Sequence, residues 1–209
     1  MTTPMDLADA FQPNYRTSRE RLLAGAHALA PRLGTLVDSR AIARRGPDGE
    51  TLALDFTVFG ARRPRHALVL SSGTHGVEGY TGSAIQHHVL AHVLPRLRLA
   101  PGTAVVLQHA NNPYGFAWHR RVNEDNVDFN RNFRDRFDPG QCSADYETLF
   151  DALNPPDLDP EREVLRWRRV DDFVAAHGAR RFQQAVSEGQ YKHPRGLQFG
   201  GHAQAAGTR

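Results

Sequence analysis

The sequence predicts an α/β protein, and three observations support this prediction. Thr51–Gly60 alternates apolar and polar residues, as a half-buried strand does. Two short apolar runs, HALVL from His66 and TAVVL from Thr103, are typical of buried strands in a parallel sheet. A predicted helix over residues 80–94, stopped by Pro95, separates them. We therefore expect a βαβ unit with two parallel strands and a right-handed crossover.

The remaining elements follow from periodicity. Apolar residues at helical spacing predict a first helix over 15–30, and GPDGE at 46–50 predicts a turn. The stretch 160–188 predicts one or two amphipathic helices, whereas 199–209 has no periodicity and is expected to be a frayed tail. The expected core-facing residues of the amphipathic stretch are Val164, Leu165, Val170, Phe173 and Val174.

Length and composition indicate one globular domain over residues 1–209. Hydrophobic residues make up 40% and charged residues 23% of the 209 positions, which argues against disorder. No apolar run is long enough to cross a membrane, and the first fifteen residues lack the pattern of a secretory signal. The single cysteine, Cys142, excludes an intramolecular disulfide and is expected to be a free thiol in a loop. Together these features favour the cytoplasm.

The charge distribution is more typical of a solvated surface than of a nucleic-acid-binding face. The formal charge is +3, and the arginines are scattered along the chain with no nucleic-acid motif beside them. We therefore expect neither nucleic acid nor membrane as a partner, and the oligomeric state stays open.

The first candidate site is the stretch SSGTHGVEG, which follows the strand that begins at His66. His75 and Glu78 lie there in the one H-x-x-E pattern of the chain, among glycines at 73, 76 and 79 that permit sharp turns. Ligands of open α/β sheets bind at the carboxyl ends of strands. Imidazole and carboxylate are both zinc ligands, so the position predicts a metal site. A hydrogen-bonded loop histidine remains the alternative.

The second candidate site is the polar segment 111–133, which follows the next strand and is expected at the same edge of the sheet. Asn126, Asp128 and Asn130 alternate as in a calcium loop, but Arg131 and Phe137 occupy the positions that need glycine and glutamate. A calcium loop is therefore excluded. A surface loop stabilised by Asx-turns remains an alternative.

The two motifs in this order, GTHGVEG and RVNEDNVDFNRNF, resemble the zinc carboxypeptidase clan, which includes carboxypeptidase A, aspartoacylase and succinylglutamate desuccinylase. More closely, they resemble a bacterial family of uncharacterised metallopeptidase-like domains in that clan. The similarity extends from about Phe11 through GQYKHPRGLQFGG. It implies a three-layer α/β/α domain of zinc-peptidase type with a mostly parallel mixed sheet and the site at its carboxyl edge.

The resemblance also implies roles for individual residues. His75 and Glu78 match two zinc ligands, and Arg121 matches the arginine that stabilises the oxyanion. Asn130 and Arg131 match the pair that binds a substrate's terminal carboxylate. A guanidinium can bind a carboxylate through two hydrogen bonds, and a cation near the metal stabilises developing negative charge. The implied activity is zinc-dependent hydrolysis of an amide bond in a small peptide or acyl-amino-acid substrate.

Two parts of the clan's pattern are missing from the sequence. The clan has a third ligand, a histidine after a later strand, and a downstream glutamate as general base. His177, His193 and His202 do not follow a strand-like run, and His109 precedes the second motif. We therefore expect the C-terminal part of the family fold to be missing, with weak metal binding and little activity. A non-catalytic domain that binds a carboxylated ligand or a protein, and an aspartoacylase-like N-acyl amino acid deacylase, are the alternatives.

Overall fold

The computed structural model describes residues 7–209. The expectation that the first fifteen residues hold no secretory signal lies in part outside the described residues. The described α-helices are α1 (Tyr15–Leu33), α2 (Gly79–His88), α3 (Pro113–Trp118), α4 (Ala144–Leu153), α5 (Pro160–His177) and α6 (Ala179–Ser187). The described strands are β1 (Leu36–Arg45), β2 (Thr51–Gly60), β3 (His66–Ser71) and β4 (Thr103–His109).

The strands form one mixed sheet in the order β1–β2–β4–β3. β3 pairs in parallel with β4, which confirms the predicted βαβ connection through α2. β2 pairs antiparallel with both β1 and β4. The α/β class and the mixed sheet are thus confirmed. The expected predominance of parallel pairing was wrong for the described strands, because β1 and β2 form a hairpin around the turn at 46–50.

The chain divides into two compact units, one that ends at Glu124 and one over Asp125–Arg209. The first unit holds the four described strands with α1–α3, and the second holds α4–α6. The three-layer arrangement and the single domain over 1–209 stay predictions, since each would depend on both units.

The core of the first unit lies between α1, the α2 region and one face of the sheet. Helix α1 begins where the Asn14 side chain accepts a hydrogen bond from the Thr17 amide at 2.9 Å, and it ends at Gly34 with φ 65°. The helix predicted over 80–94 is α-helical to His88 and then π-helical over Val89–Val93. One cluster of buried residues joins the three elements: Leu22, Ala26, Phe59, Leu90, Leu94, Val105 and Leu107.

Strand β3 differs from the prediction of full burial. It lies at the edge of the described sheet, where β4 is its partner. Leu68 is 56% exposed and Val69 is 55% exposed. An apolar run fits either a central strand or an edge strand, so its composition alone does not decide burial.

The second unit is built from helices that pack on one another. The predicted amphipathic stretch forms two helices, α5 and α6, and α4 was not predicted. Val170 and Phe173 are buried against Leu149 of α4 as expected. Val164 and Leu165 are 54% and 59% exposed, so their expected core positions were wrong.

The prediction of a frayed tail was also wrong. Asn132 is fully buried, and its side-chain nitrogen donates to the carbonyl of Gly200 at 2.7 Å and to that of Ala203 at 2.8 Å. Its side-chain oxygen accepts from the Ala205 amide at 2.7 Å and from the Thr208 hydroxyl. One buried amide therefore fixes the segment that has no periodicity of its own.

Candidate functional site

The loop after β3 is shaped by close backbone packing as much as by turns. Gly73 has φ 67°, a conformation that glycine adopts without strain. Gly76 is needed for another reason, because a Cβ there would lie 2.0 Å from the Gly115 carbonyl oxygen and 2.4 Å from that of Arg120. A Cβ at Gly79 would lie 2.9 Å from the Phe116 ring. The glycines expected to provide turns thus serve mainly to admit neighbouring groups.

His75 and Glu78 lie side by side in this loop. The His75 Nδ1 atom is 2.9 Å from Oε1 of Glu78, and the His75 amide donates to the same oxygen at 3.2 Å. The His75 side chain is 10% exposed and that of Glu78 is 61% exposed. Glu78 is also the N-cap residue of α2, where a carboxylate is favoured by the helix dipole. The structure therefore places two potential metal ligands together at the end of β3, in a pair that solvent can reach.

The loop after β4 lies against the His75 loop, as expected from the parallel pairing. The amides of Asn111 and Asn112 donate to the carbonyls of Ser72 at 2.9 Å and Gly73 at 2.8 Å. The Gly76 amide donates to the carbonyl of Arg120 at 3.0 Å. Within the first unit, the start of the polar segment 111–133 therefore meets the His75 loop at one edge of the sheet.

Arg121 is part of this contact through its backbone. Its carbonyl accepts a hydrogen bond from the side-chain nitrogen of Asn112 at 3.3 Å. The oxygen of the same Asn112 side chain accepts from the Gly115 amide at 2.8 Å and caps α3. The Arg121 side chain is exposed. One asparagine thus fixes the start of the second motif next to the His75 loop.

Asn130 and Arg131 belong to the second unit. The Asp128 carboxylate accepts from the Asn130 amide at 2.9 Å, which is an Asx-type bond of the kind that the alternative interpretation of this segment involves. The Arg131 guanidinium donates to the carbonyls of Asn130, at 3.1 Å, and of Ser187. Its stem packs on Gly189, where a Cβ would lie 2.5 Å from the Arg131 Cδ.

Asn130 and Arg131 line an open cavity of about 380 Å³ together with Arg134 and Tyr191. The Arg134 guanidinium lies 4.6 Å from the centre of the Tyr191 ring and donates to the Gln141 side chain at 2.9 Å. Two guanidinium groups in one pocket favour an anionic ligand. The sequence did not single out Arg134, although it lies three residues after Arg131.

The histidines weighed as a third ligand have other positions. His109 is fully buried at the end of β4, with its Nε2 atom 3.1 Å from the Ser83 hydroxyl. His177 ends α5, and Nε2 of His202 is 2.7 Å from the Tyr191 carbonyl. Among the described residues, the clusters of three or more potential metal-binding side chains do not include His75 or Glu78. The first motif thus provides two metal donors, His75 and Glu78.

Sequence reasoning missed a cluster of donors in the second unit. Cys142, a free thiol as expected, lies close to Glu147 and His193. Cys142 and Glu147 are five residues apart, but His193 follows 46 residues after Glu147. The set matches no spacing motif, so no pattern in the sequence indicates it.

The described fold is α/β, and its candidate site lies where two parallel strands end. The model of the family described as "Protein of unknown function (DUF2817)" matches residues 11–209, so the chain belongs to that family. No curated protein matches the chain.

Two solved structures of glutaminyl cyclase from Porphyromonas gingivalis are similar to parts of the chain, each with a TM-score of 0.29. One is 16% identical, and the match covers 48% of this chain and 38% of that one. The other is 11% identical, with 68% and 48% covered. The chain thus spans less than half the length of either cyclase, and likeness at this level carries no argument about function. None of the described helices has the length and apolarity to cross a membrane.

Proposed function

We propose that the chain carries part of the active site of a zinc-dependent hydrolase of the zinc carboxypeptidase clan. In this proposal His75 and Glu78 are two of the metal ligands, and Arg121 stabilises the oxyanion. Asn130 and Arg131 bind a free carboxylate of a small peptide or acyl-amino-acid substrate. The observation that carries the proposal is the 2.9 Å contact between Nδ1 of His75 and Oε1 of Glu78 at the end of a parallel strand.

The donor pair fits a zinc ion as two of its ligands. Zinc binds imidazole nitrogen and carboxylate oxygen at about 2.0–2.2 Å, so two such atoms around a tetrahedral ion lie roughly 3.3 Å apart. The observed separation of 2.9 Å is close to this value, and a small rotation of the exposed Glu78 side chain would supply the difference. Bound zinc would polarise the scissile carbonyl and lower the pKa of its bound water.

The arginines supply charge at two places on the substrate. A guanidinium at 121 can donate to the oxygen on which negative charge develops, which is worth most where water is excluded. The cavity is lined by two guanidinium groups, of Arg131 and Arg134, and by one carboxylate, of Glu188, so positive charge exceeds negative charge there. Protein carbonyl or amide oxygens orient each guanidinium. The pocket therefore favours ligands that carry a free carboxylate.

The test is zinc binding in variants of the first motif. All titrations use a Cys142→Ser background, which removes the one thiol of the chain and with it any thiolate ligand. We expect weak binding that falls at least about tenfold in His75→Ala and in Glu78→Gln, because each removes a direct ligand. His27→Gln and Glu20→Gln, on the exposed surface of α1, are matched controls and should bind as the background does. Equal affinity in all five proteins would overturn the proposal.

The substrate part is tested separately with N-acetyl amino acids and their methyl esters. Arg131→Gln should weaken binding of the carboxylates by about tenfold or more and leave the esters unchanged, since a charged hydrogen bond is lost only with the former. Any turnover should disappear in His75→Ala. Loss of hydrolysis with zinc retained in Arg131→Ala would further support the assignment, and unchanged kinetics would contradict it.

A non-catalytic role is the second candidate, and the two-donor set of the first motif favours it. A catalytic zinc site has three protein ligands, and the described three-donor cluster does not include His75 or Glu78. Carboxylate binding through Arg131 without turnover would support a binding domain. Preference for N-acyl amino acids over C-terminal peptide bonds would instead indicate a deacylase.

A further inference from the structure

We propose a second metal site, in the second unit, formed by Cys142, Glu147 and His193 and suited to Zn²⁺ or a similar borderline-soft divalent cation. The Sγ atom, a carboxylate oxygen and an imidazole nitrogen of these residues all lie within 4.8 Å of one another. Nε2 of His193 is 2.8 Å from Oε1 of Glu147. The site shares no residue with the first motif.

Local structure holds each donor in place. Cys142 directly precedes Ser143, whose hydroxyl caps α4 by accepting from the Tyr146 amide at 3.2 Å. Glu147 lies in the first turn of the same helix. Two of the three donors are therefore oriented by one capped helix terminus.

His193 is fixed by a buried glutamine and an aromatic ring. Gln190, which is fully buried, accepts from the His193 amide at 2.7 Å and donates to its carbonyl at 2.8 Å. The imidazole stacks on Phe150 with a centroid distance of 4.1 Å and an interplanar angle of 29°. A preorganised imidazole reduces the ordering that metal binding would otherwise require.

The chemistry of the donor set favours zinc over magnesium or calcium. Thiolate and imidazole are ligands of zinc and of the softer transition metals, whereas magnesium and calcium take oxygen donors. The side chains of His193 and Glu147 are 23% and 35% exposed, so an ion from solution can reach them. Three protein ligands leave a fourth position for water or another ligand.

The Lys192 ammonium already pairs with the Glu147 carboxylate and would compete with a bound metal ion for it. Its Nζ atom is 2.9 Å from Oε1 of Glu147. Metal binding would break the S–H bond of Cys142, form a metal–sulfur bond and release the proton to solvent.

Cobalt(II) titration of the full chain tests this site, with absorption spectroscopy in the presence of a non-thiol reductant. Because Cys142 is the one cysteine of the chain, a thiolate-to-cobalt charge-transfer band can arise from that residue alone. We expect the band to saturate at one cobalt per chain and to be absent in Cys142→Ser. Glu147→Gln and His193→Gln should each weaken the binding that produces the band by at least about tenfold. His177→Gln, on the exposed end of α5, is the matched control and should leave the band unchanged.

The result separates this site from the proposed hydrolase site. Cobalt bound without a charge-transfer band would overturn the second site and leave the first untouched. A band that persists unweakened in both Glu147→Gln and His193→Gln would also overturn it, because the metal would then be held by the thiol without the other two donors. Unfolding midpoints of the variants, measured in parallel, show whether each is folded.

Discussion

Among the described residues, each unit contains a histidine–glutamate contact, and the two contacts differ in how they are made. His75 and Glu78 are 2.9 Å apart and three residues apart in one loop. His193 and Glu147 are 2.8 Å apart but come from a loop and a helix separated by 46 positions. In the first pair the His75 amide also donates to the Glu78 carboxylate, whereas in the second pair the Glu147 carboxylate also contacts the Lys192 ammonium.

This difference shows that the spacing of ligands along the chain and the number of donor atoms are independent properties of a site. A turn brings residues that are close in sequence together at a small entropic cost, so a short motif is enough to indicate the first pair. The second pair depends on helix capping and on Gln190, and it gathers a third donor that no motif indicates. The pair that sequence reasoning finds most easily is therefore not the one with more donors.

The largest effect is expected from breaking the backbone packing of the first pair with Gly76→Ala. The added Cβ would lie 2.0 Å from the Gly115 carbonyl oxygen, so the loop must move and lose its bond to Arg120. We expect a loss of about 3 kcal/mol or more in the free energy of unfolding. Urea unfolding measures it, with Gly140→Ala as the control because its nearest heavy atom would be 3.4 Å away. Similar stability of the two variants would show that the His75 loop is less constrained than its contacts indicate.

A smaller effect is expected in the pH dependence of stability, where buried His109 of the first unit is compared with exposed His177 of the second. Burial, with smaller contributions from the nearby His87 and Arg19, lowers the pKa of His109 to about 3. Unfolded histidine has a pKa of about 6.5, so below that pH the unfolded state binds a proton that the folded state does not. This contribution to stability is present above pH 6.5 and is lost as the pH falls.

The expected loss from His109 is about 2 kcal/mol in the free energy of unfolding between pH 7 and pH 5. Urea unfolding at both pH values should show this difference in the wild type and lose it in His109→Gln. His177→Gln, exposed at the end of α5, should retain the wild-type difference. A pH dependence that is the same in His109→Gln and the wild type would disprove the assignment.

The smallest effect is expected on metal binding at the second pair. Lys192→Met removes the ammonium that lies 2.9 Å from Glu147 and keeps an aliphatic side chain of similar length. With one competing cation gone, we expect cobalt to bind there severalfold more tightly, a small effect because the charges are partly exposed. The charge-transfer titration measures it. Weaker binding in this variant would mean that Lys192 supports the site rather than competes with it.

The candidate site could be predicted from the sequence only in part. His75 and Glu78 were found because they are close along the chain, and the predicted βαβ unit placed the segment after β4 beside them. The structure adds the contacts of Asn112 with Gly115 and Arg121, which depend on loops from different strands. It also adds Arg134 to the pocket of Arg131, which no repeat or spacing indicated.

The sequence by itself determined the α/β class, helix α1, strands β2 and β4, and the pairing of β3 with β4, because periodicity and turn residues are local properties. Tertiary structure alone decided that β3 lies at an edge, that β1 and β2 form a hairpin, and that Asn132 fixes the C-terminal segment. Burial, register and the meeting of Cys142 with His193 depend on which distant groups satisfy one another. Such pairings arise from the folded packing as a whole, and no single stretch of residues contains them.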